Sequence, residues 1–401
     1  MDTPRRAAWP QGLVIIMVGI LPMMAIVTLM PIVPALVKNF QQVPGIQTLA
    51  PLVLSAPGLC VALFSPFAGI LADRIGRRRL LLVFATLYGI GGVLPFFLTS
   101  FAALMASRLV LGIGEAFILT LGNTLLGDYF EKAERAKWLA WQSFVGPALG
   151  AILVTSSGAL SAIQWNLPFL IYGVALLMAA FAYFTAFEPQ PAAAGGTPAL
   201  AAASPEPALP FPTDLMTRIA VTTFVLAAVY FVFTLQFSLA LDTMGVKDGG
   251  QIGRISGLAA LGVAVGAILF RFISGRSTVF QFTVVFMLLG LGMVGIGLNL
   301  GINATIALAW IQQLGSGMTI PVLIGWSLRE LPAQFRGRGM GWWASAFFLG
   351  QFVSPLFVSM TNTISGGLLN TFIVAGGLCI AIAVGNALVS RRGRVLAIYC
   401  A

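Results

Sequence analysis

The sequence predicts an all-α membrane protein, with twelve spanning helices in two six-helix halves related by a pseudo-twofold axis. Three observations carry that prediction. Only 8% of the 401 residues are charged and 59% are hydrophobic, whereas a soluble domain carries about 25% charged residues. The apolar residues gather into a dozen runs of the length that crosses a bilayer, about 20 residues each. A proline-rich stretch then divides those runs six and six.

In order, the runs are 12–36, 50–72, 80–99, 102–127, 138–160, 166–187, 216–242, 252–273, 279–299, 303–328, 339–361 and 367–390. The first follows MDTPRRAAWPQG. It is too long for a signal-peptide core and no small-residue cleavage site follows it, so it reads as a retained helix. The shallowest breaks lie between the third and fourth runs and around Leu300. After the sixth run comes 188–214, in which positions 189, 191, 198, 205, 207, 210 and 212 are all Pro. Proline at that density forbids a helix. The expected organisation is therefore an N-terminal bundle, 1–187, a linker, 188–214, and a C-terminal bundle, 215–401.

Charge orients the helices. Of the 22 basic residues, eighteen fall on the side that holds both termini and the linker. The opposite side keeps Lys38, Lys247 and Arg254, and Arg108 lies within a run. Basic loops stay cytoplasmic, so both termini are expected in the cytoplasm and the membrane is expected to be a bacterial inner membrane. The net charge of +10 thus reflects lipid and topology, and no nucleic-acid partner is expected. With no His in the chain, His metal sites and His general-base catalysis are excluded. No metal or cofactor is expected. Cys60, Cys379 and Cys400 offer no disulfide framework. Trp9, Trp138, Trp165 and Trp326 fall near span ends and read as interface anchors. Gly290, Gly292, Gly295, Gly297 and Gly301 imply close helix packing or a hinge.

The two halves resemble each other at an offset of 201 residues. The segment Arg135–Trp141 aligns with Arg336–Trp342, and Gly114 with Gly315. Such parallel repeats are one architecture of secondary carriers, with the substrate site between the halves.

Between the second and third runs stands GILADRIGRRRL. Gly69 allows close approach of a neighbouring helix, and Asp73 can accept hydrogen bonds from basic side chains or helix-end amides. Gly76 permits a tight turn, and Arg77, Arg78 and Arg79 are expected to anchor the loop to anionic lipid. In this segment the chain resembles the major facilitator superfamily, whose loop signature G-x-L-A-D-R-x-G-R-R is matched by Gly69, Leu71, Ala72, Asp73, Arg74, Gly76, Arg77 and Arg78. The resemblance implies that this loop acts as a conformational latch. It extends to helix 4, where Arg108, Gly112 and Gly114 resemble the family's R-x-x-x-G-x-G motif. In helix 5, Gly146, Pro147 and Gly150 resemble the end of its antiporter signature, while Ala151 and Gln142 depart from it.

Arg108 and Glu115 are seven residues apart and so share a face of helix 4. A charge at that depth costs about 2.5–3.5 kcal/mol even on lenient scales. Glu115, modulated by Arg108, is the proton-coupling candidate. The alternative is a static ion pair that glues helices. Candidate substrate-cavity polar groups in the second half are Tyr230, Gln236, Gln312, Gln313, Ser316 and Thr319. These side chains would read a polar substrate or bond across helices.

The resemblance implies a monomeric carrier in the lipid bilayer, working by alternating access. The expectation is proton-coupled export (efflux by antiport) of a small apolar or amphipathic compound. A proton symporter and a siderophore or metabolite exporter are the alternatives. An intramembrane enzyme would need a nucleophile and a base in one cavity, and a sensor would need an output domain. The sequence offers neither.

Overall fold

The computed structural model describes residues 7–189 and 212–391. The N-terminal half comprises α1 (Trp9–Val27), α2 (Val33–Asn39), α3 (Ile46–Ile75), α4 (Arg77–Val93), α5 (Phe101–Tyr129), α6 (Lys132–Ile163) and α7 (Gly173–Thr185). The C-terminal half comprises α8 (Thr213–Thr243), α9 (Gly249–Ile273), α10 (Thr278–Gly297), α11 (Ile302–Glu330), α12 (Arg336–Ser365) and α13 (Leu368–Arg391). Among the described residues there is no strand, and twelve spans are long and apolar enough to cross a membrane. This is a multi-pass membrane protein of two six-span halves.

The first span is not the single helix expected over 12–36. Its helix stops at Val27, turns through Met30–Ile32 and resumes as α2. Pro31 and Pro34 supply no amide donors there, and the ladder cannot run through them. Most other spans overrun their apolar runs by several residues, because a helix need not end where hydrocarbon does. Between α3 and α4 the chain reverses at Gly76, whose φ of +100° lies where side chains are rarely tolerated.

Small residues set the packing. The glycines of α10 lie against α11 and α13, with Gly290 facing Gly376 and Gly292 facing Gln312. Trp326 is not at an interface with lipid headgroups: it is 1% exposed and packs edge-on against Phe282. An apolar run gives no signal of which face is internal, and the position near a span end misled. Trp165 is part-buried and meets Phe40 and Phe169 edge-on. Of the four tryptophans expected at interfaces, Trp9 stands well exposed, at 67%, and Trp138 is part-buried.

The halves meet mainly along two pairs of helices, α3 with α12 and α6 with α9. On α9, Gly249, Gly253 and Gly257 recur every four residues and meet Ser161, Gly158 and Thr155 of α6. Backbone lies on backbone here: a Cβ built on Gly158 would come within 2.4 Å of the Gly253 Cα. Along the other seam, Thr48 and Ser359 share a hydrogen bond of 2.8 Å, and the Ser345 hydroxyl donates to the Ala62 carbonyl at 3.1 Å. The glycine contact and the Thr48–Ser359 bond lie toward the end of the bundle opposite the termini. Toward the terminal end, a Cβ on Gly69 or on Gly146 would meet nothing within 4 Å. The close approach expected at Gly69 is therefore not seen in this structure.

Candidate functional site

Helix α5 carries both intramembrane charges into the interior of the N-terminal half, where Arg108 is 0% and Glu115 1% exposed. Gly112 and Gly114 make this possible, by letting α5 lie against Pro57 of α3 and Phe84 of α4. The two charges do not pair. The guanidinium of Arg108 turns to the end of α4, where Nη2 donates to the carbonyls of Gly91 at 2.7 Å and Gly92 at 3.0 Å. These are last-turn carbonyls that the helix itself leaves without partners, and a cation is favourable at a helix C-terminus. The rings of Phe169 and Tyr172 flank the same guanidinium at 5.2 and 5.1 Å. Arg108 is thus a cap on α4. The static pair, the alternative reading, is absent: Arg108 and Glu115 share no ion pair or hydrogen bond here.

Glu115 has neither a salt bridge nor a hydrogen-bond partner for its buried Oε2. Its electrostatic neighbours are Cys60, Tyr88 and Tyr172. Both tyrosines are tied to α1: Tyr88 donates to the Leu21 carbonyl at 2.6 Å and Tyr172 to the Ala25 carbonyl at 3.0 Å. A carboxyl with unmet hydrogen-bonding capacity therefore sits where α1, α3, α4 and α5 converge.

At the terminal end, the loop at Gly76 is held by protein. Arg77 forms an ion pair with Asp128 at the end of α5. Arg78 donates to the carbonyls of Ala186 and Tyr183, both at 2.7 Å, and lies over the Tyr183 ring. These two side chains are spent on protein partners, which corrects their expected role as lipid anchors. Glu188 completes the arrangement. Its two carboxylate oxygens accept from the backbone amides of Arg77 at 2.6 Å and Arg78 at 2.9 Å, so an acid more than a hundred residues away caps the start of α4. Sequence reasoning placed Glu188 in the linker and missed it. Arg74 is exposed, and the Asp73 side chain lies outside the described residues.

In α6, Pro147 stands within the helix and Gly150 faces Met23 of α1, with the Met23 Cε 3.2 Å from where a Cβ would be. Gln142, which departs from the antiporter signature, has a complement. Its Nε2 lies 1.3 Å from where a Cβ of Gly19 would stand, so the missing side chain of α1 makes its space.

The six cavity candidates of the C-terminal half lie on α8 and α11. Gln312 packs its backbone against Gly292 of α10, whereas Gln313 lies against Gly262 of α9. Gln312 and Ser316 share one buried face of α11, and Gln312 Nε2, Gln312 Oε1 and Ser316 Oγ all lack partners. Thr319 donates back to the Gly315 carbonyl at 2.9 Å. Tyr230 stacks edge-on with Phe231, and Gln236 is buried at 3% exposure.

Comparison with known proteins agrees with this architecture. A family model described as the Major Facilitator Superfamily matches residues 15–302. The class B tetracycline resistance protein of Escherichia coli is 28% identical over 163 residues, 39% of this chain and 39% of that protein. The multidrug resistance protein Stp of Mycobacterium tuberculosis is 33% identical over 124 residues, 29% of this chain and 23% of that protein. The chain covers well under two thirds of either relative's length. Among solved structures, a bacterial homolog of the human lysosomal transporter Spinster, inward-facing and unoccupied, superposes with a TM-score of 0.74. It is 16% identical, and the match covers 95% of this chain and 96% of that one.

Proposed function

Since this chain belongs to the Major Facilitator Superfamily and is a transporter of that family, we propose that it exports small apolar or amphipathic compounds in exchange for protons. It works by alternating access in a bacterial inner membrane, as a monomer with both termini cytoplasmic. The bundles 1–187 and 215–401 rock about the substrate, and 188–214 tethers them. Glu115 is the coupling carboxyl.

The observation that carries this reading is the setting of Glu115: deep within a span, 1% exposed, with no ion pair. An isolated carboxylate there is costly, by a few kcal/mol or more. The group is accommodated by taking a proton, and a change of state that wets it lets the proton leave. Export is supported by the names of the E. coli and M. tuberculosis relatives, a tetracycline and a multidrug resistance protein, and by the partial antiporter signature at Gly146, Pro147 and Gly150.

The test is Glu115→Gln in proteoliposomes carrying an imposed pH gradient. Glutamine mimics the protonated acid, so gradient-driven flux of a candidate compound should vanish while exchange without a gradient persists. A folded Glu115→Gln protein that still responds to the gradient refutes the coupling role.

A further inference from the structure

A cleft of about 60 Å³ opens between α1, α5 and α6, on the terminal side of Glu115. None of its lining was singled out from the sequence as a place for substrate. Its walls are apolar, with Ile15 and Val18 from α1 and Ile118 from α5. Its polar groups are two carboxamides, Asn123 and Gln142. Among the described residues neither makes a hydrogen bond, although Gln142 is half-buried and held against Gly19.

Depth makes the two amides informative. Asn123 lies eight residues beyond Glu115, about 12 Å along the helix, which is still within the hydrocarbon half-thickness of about 15 Å. Polar side chains at that depth face a wet cavity or a partner. Asn123 is exposed and without a partner among the described residues, as expected of a side chain that faces water in the cleft. Gly19, Asn123 and Gln142 come from three helices yet stand at matching depth. Absence of a side chain at Gly19 keeps the space open.

We propose that this cleft is a subsite for the head group of a neutral amphipathic compound. Its occupant is a carboxamide, lactam or similar group that offers a donor and an acceptor together, as the two lining carboxamides do. The walls carry no ionisable group, so charge plays no part in recognition. Size decides how much is held: at about 10–15 Å³ of this volume per water, the cleft takes a head group and leaves the apolar body outside it. Ligand pockets that enclose a whole drug-sized molecule run from about 300 Å³ upward. Above the cleft, Ile118 and Leu119 stand one turn from Glu115, so a seated head group would lie between that carboxyl and the terminal side.

The repeat supports a dedicated role. At the offset of 201 residues the counterparts of Asn123 and Gln142 are Ile324 and Trp343, and Trp343 is buried against Phe347 with ring centroids 5.3 Å apart. The C-terminal half fills the equivalent place with an indole.

The inference rests on the export reading for its purpose, and the experiment is independent of it. The full chain in detergent micelles, with no proton gradient, is titrated with 4-nitrobenzamide, a neutral carboxamide whose ring quenches indole fluorescence on contact. Trp138, one turn before Gln142, is the reporter. Saturable quenching is expected for the unsubstituted protein. Gln142→Leu and Asn123→Leu should each weaken it about tenfold, and 4-nitrotoluene, which lacks the amide, should not saturate. Gly19→Val should abolish it, with the thermal unfolding temperature as a check on folding. No saturable quenching in the unsubstituted protein overturns the proposal. So does equal binding by the two leucine variants, or equal binding of 4-nitrotoluene. Because no gradient is present, these outcomes hold whether or not Glu115 couples flux.

Discussion

The two halves share a scaffold and differ in what they bury. In the N-terminal half, α5 carries a guanidinium and a carboxyl into the bundle interior. At the repeat-related positions of α11 stand Ala309 and Ser316, and the polar groups nearby are the neutral amide of Gln312 and the hydroxyl of Thr319. The packing that makes room is alike: Gly114 lies against Phe84 and Tyr88 of α4, and Gly315 against Val285 and Leu288 of α10. The contrast teaches that fold and chemistry are separable here. Repeated glycines build both bundles, and the buried guanidinium and carboxyl of Arg108 and Glu115 have been placed in one of them.

The sharpest way to break this comparison is to exchange the chemistry of Glu115 and leave Ser316 as a control. Glu115→Gln should abolish pH-driven accumulation, whereas Ser316→Ala should keep it, as read by proteoliposome flux under the same gradient. Equal losses would mean that the asymmetry has no functional weight.

A second test concerns stability and predicts opposite signs. Arg108→Leu strips the donor from the Gly91 and Gly92 carbonyls and should cost about 1–3 kcal/mol, seen as a lower unfolding temperature in detergent. Gln312→Leu removes an amide whose two polar atoms have no partner. It should leave stability unchanged or raised, because replacing an unsatisfied polar group by an apolar one of similar size is near neutral or favourable. A matching loss in both variants would erase the distinction between a cap and an unmet amide.

The terminal-end loop gives a smaller effect. Glu188→Gln keeps the size of the side chain and loses the charge at the start of α4, which should weaken that cap by about 0.5–2 kcal/mol. Asp73→Asn should slow flux while the protein still inserts, by shifting the balance of the two access states. Wild-type flux and wild-type unfolding in both variants would leave the loop without a latch role. The smallest effect is expected in the linker. Replacing 190–211 by a Gly/Ser chain of equal length should preserve flux, provided Glu188 remains; loss of flux in a folded protein would point to a specific role for that segment.

Much of the fold was legible in the sequence, because twelve apolar runs and a Gly76 turn are local signals. The break at Met30–Ile32 was also local, written in Pro31 and Pro34, and was overlooked inside a long apolar run. The site was harder to read. Spacing put Arg108 and Glu115 on one face of α5 and left open whether they pair. Where a long side chain goes is decided by partners on other helices, here the carbonyls at the end of α4, and no spacing rule within α5 contains them. Glu188 was hidden for the same reason: its partners are amides that lie 110 and 111 residues away in the chain. Gln142 looked like a defect in a glycine motif until Gly19 supplied its complement.

The glycine contact between α6 and α9 bears on leakage. A carrier that opens to one side must be tight on the other, and a seal made of interlocking side chains would have to be unpicked at every cycle. Where Gly158 meets Gly253, main chain rests directly on main chain, so at that point the contact is thin, with only the short side chains of Thr155 and Ser161 beside it. It can part and close again with little friction. The same thinness leaves no tolerance, since a single added methyl at either glycine would act as a wedge and turn a shut door into one left ajar.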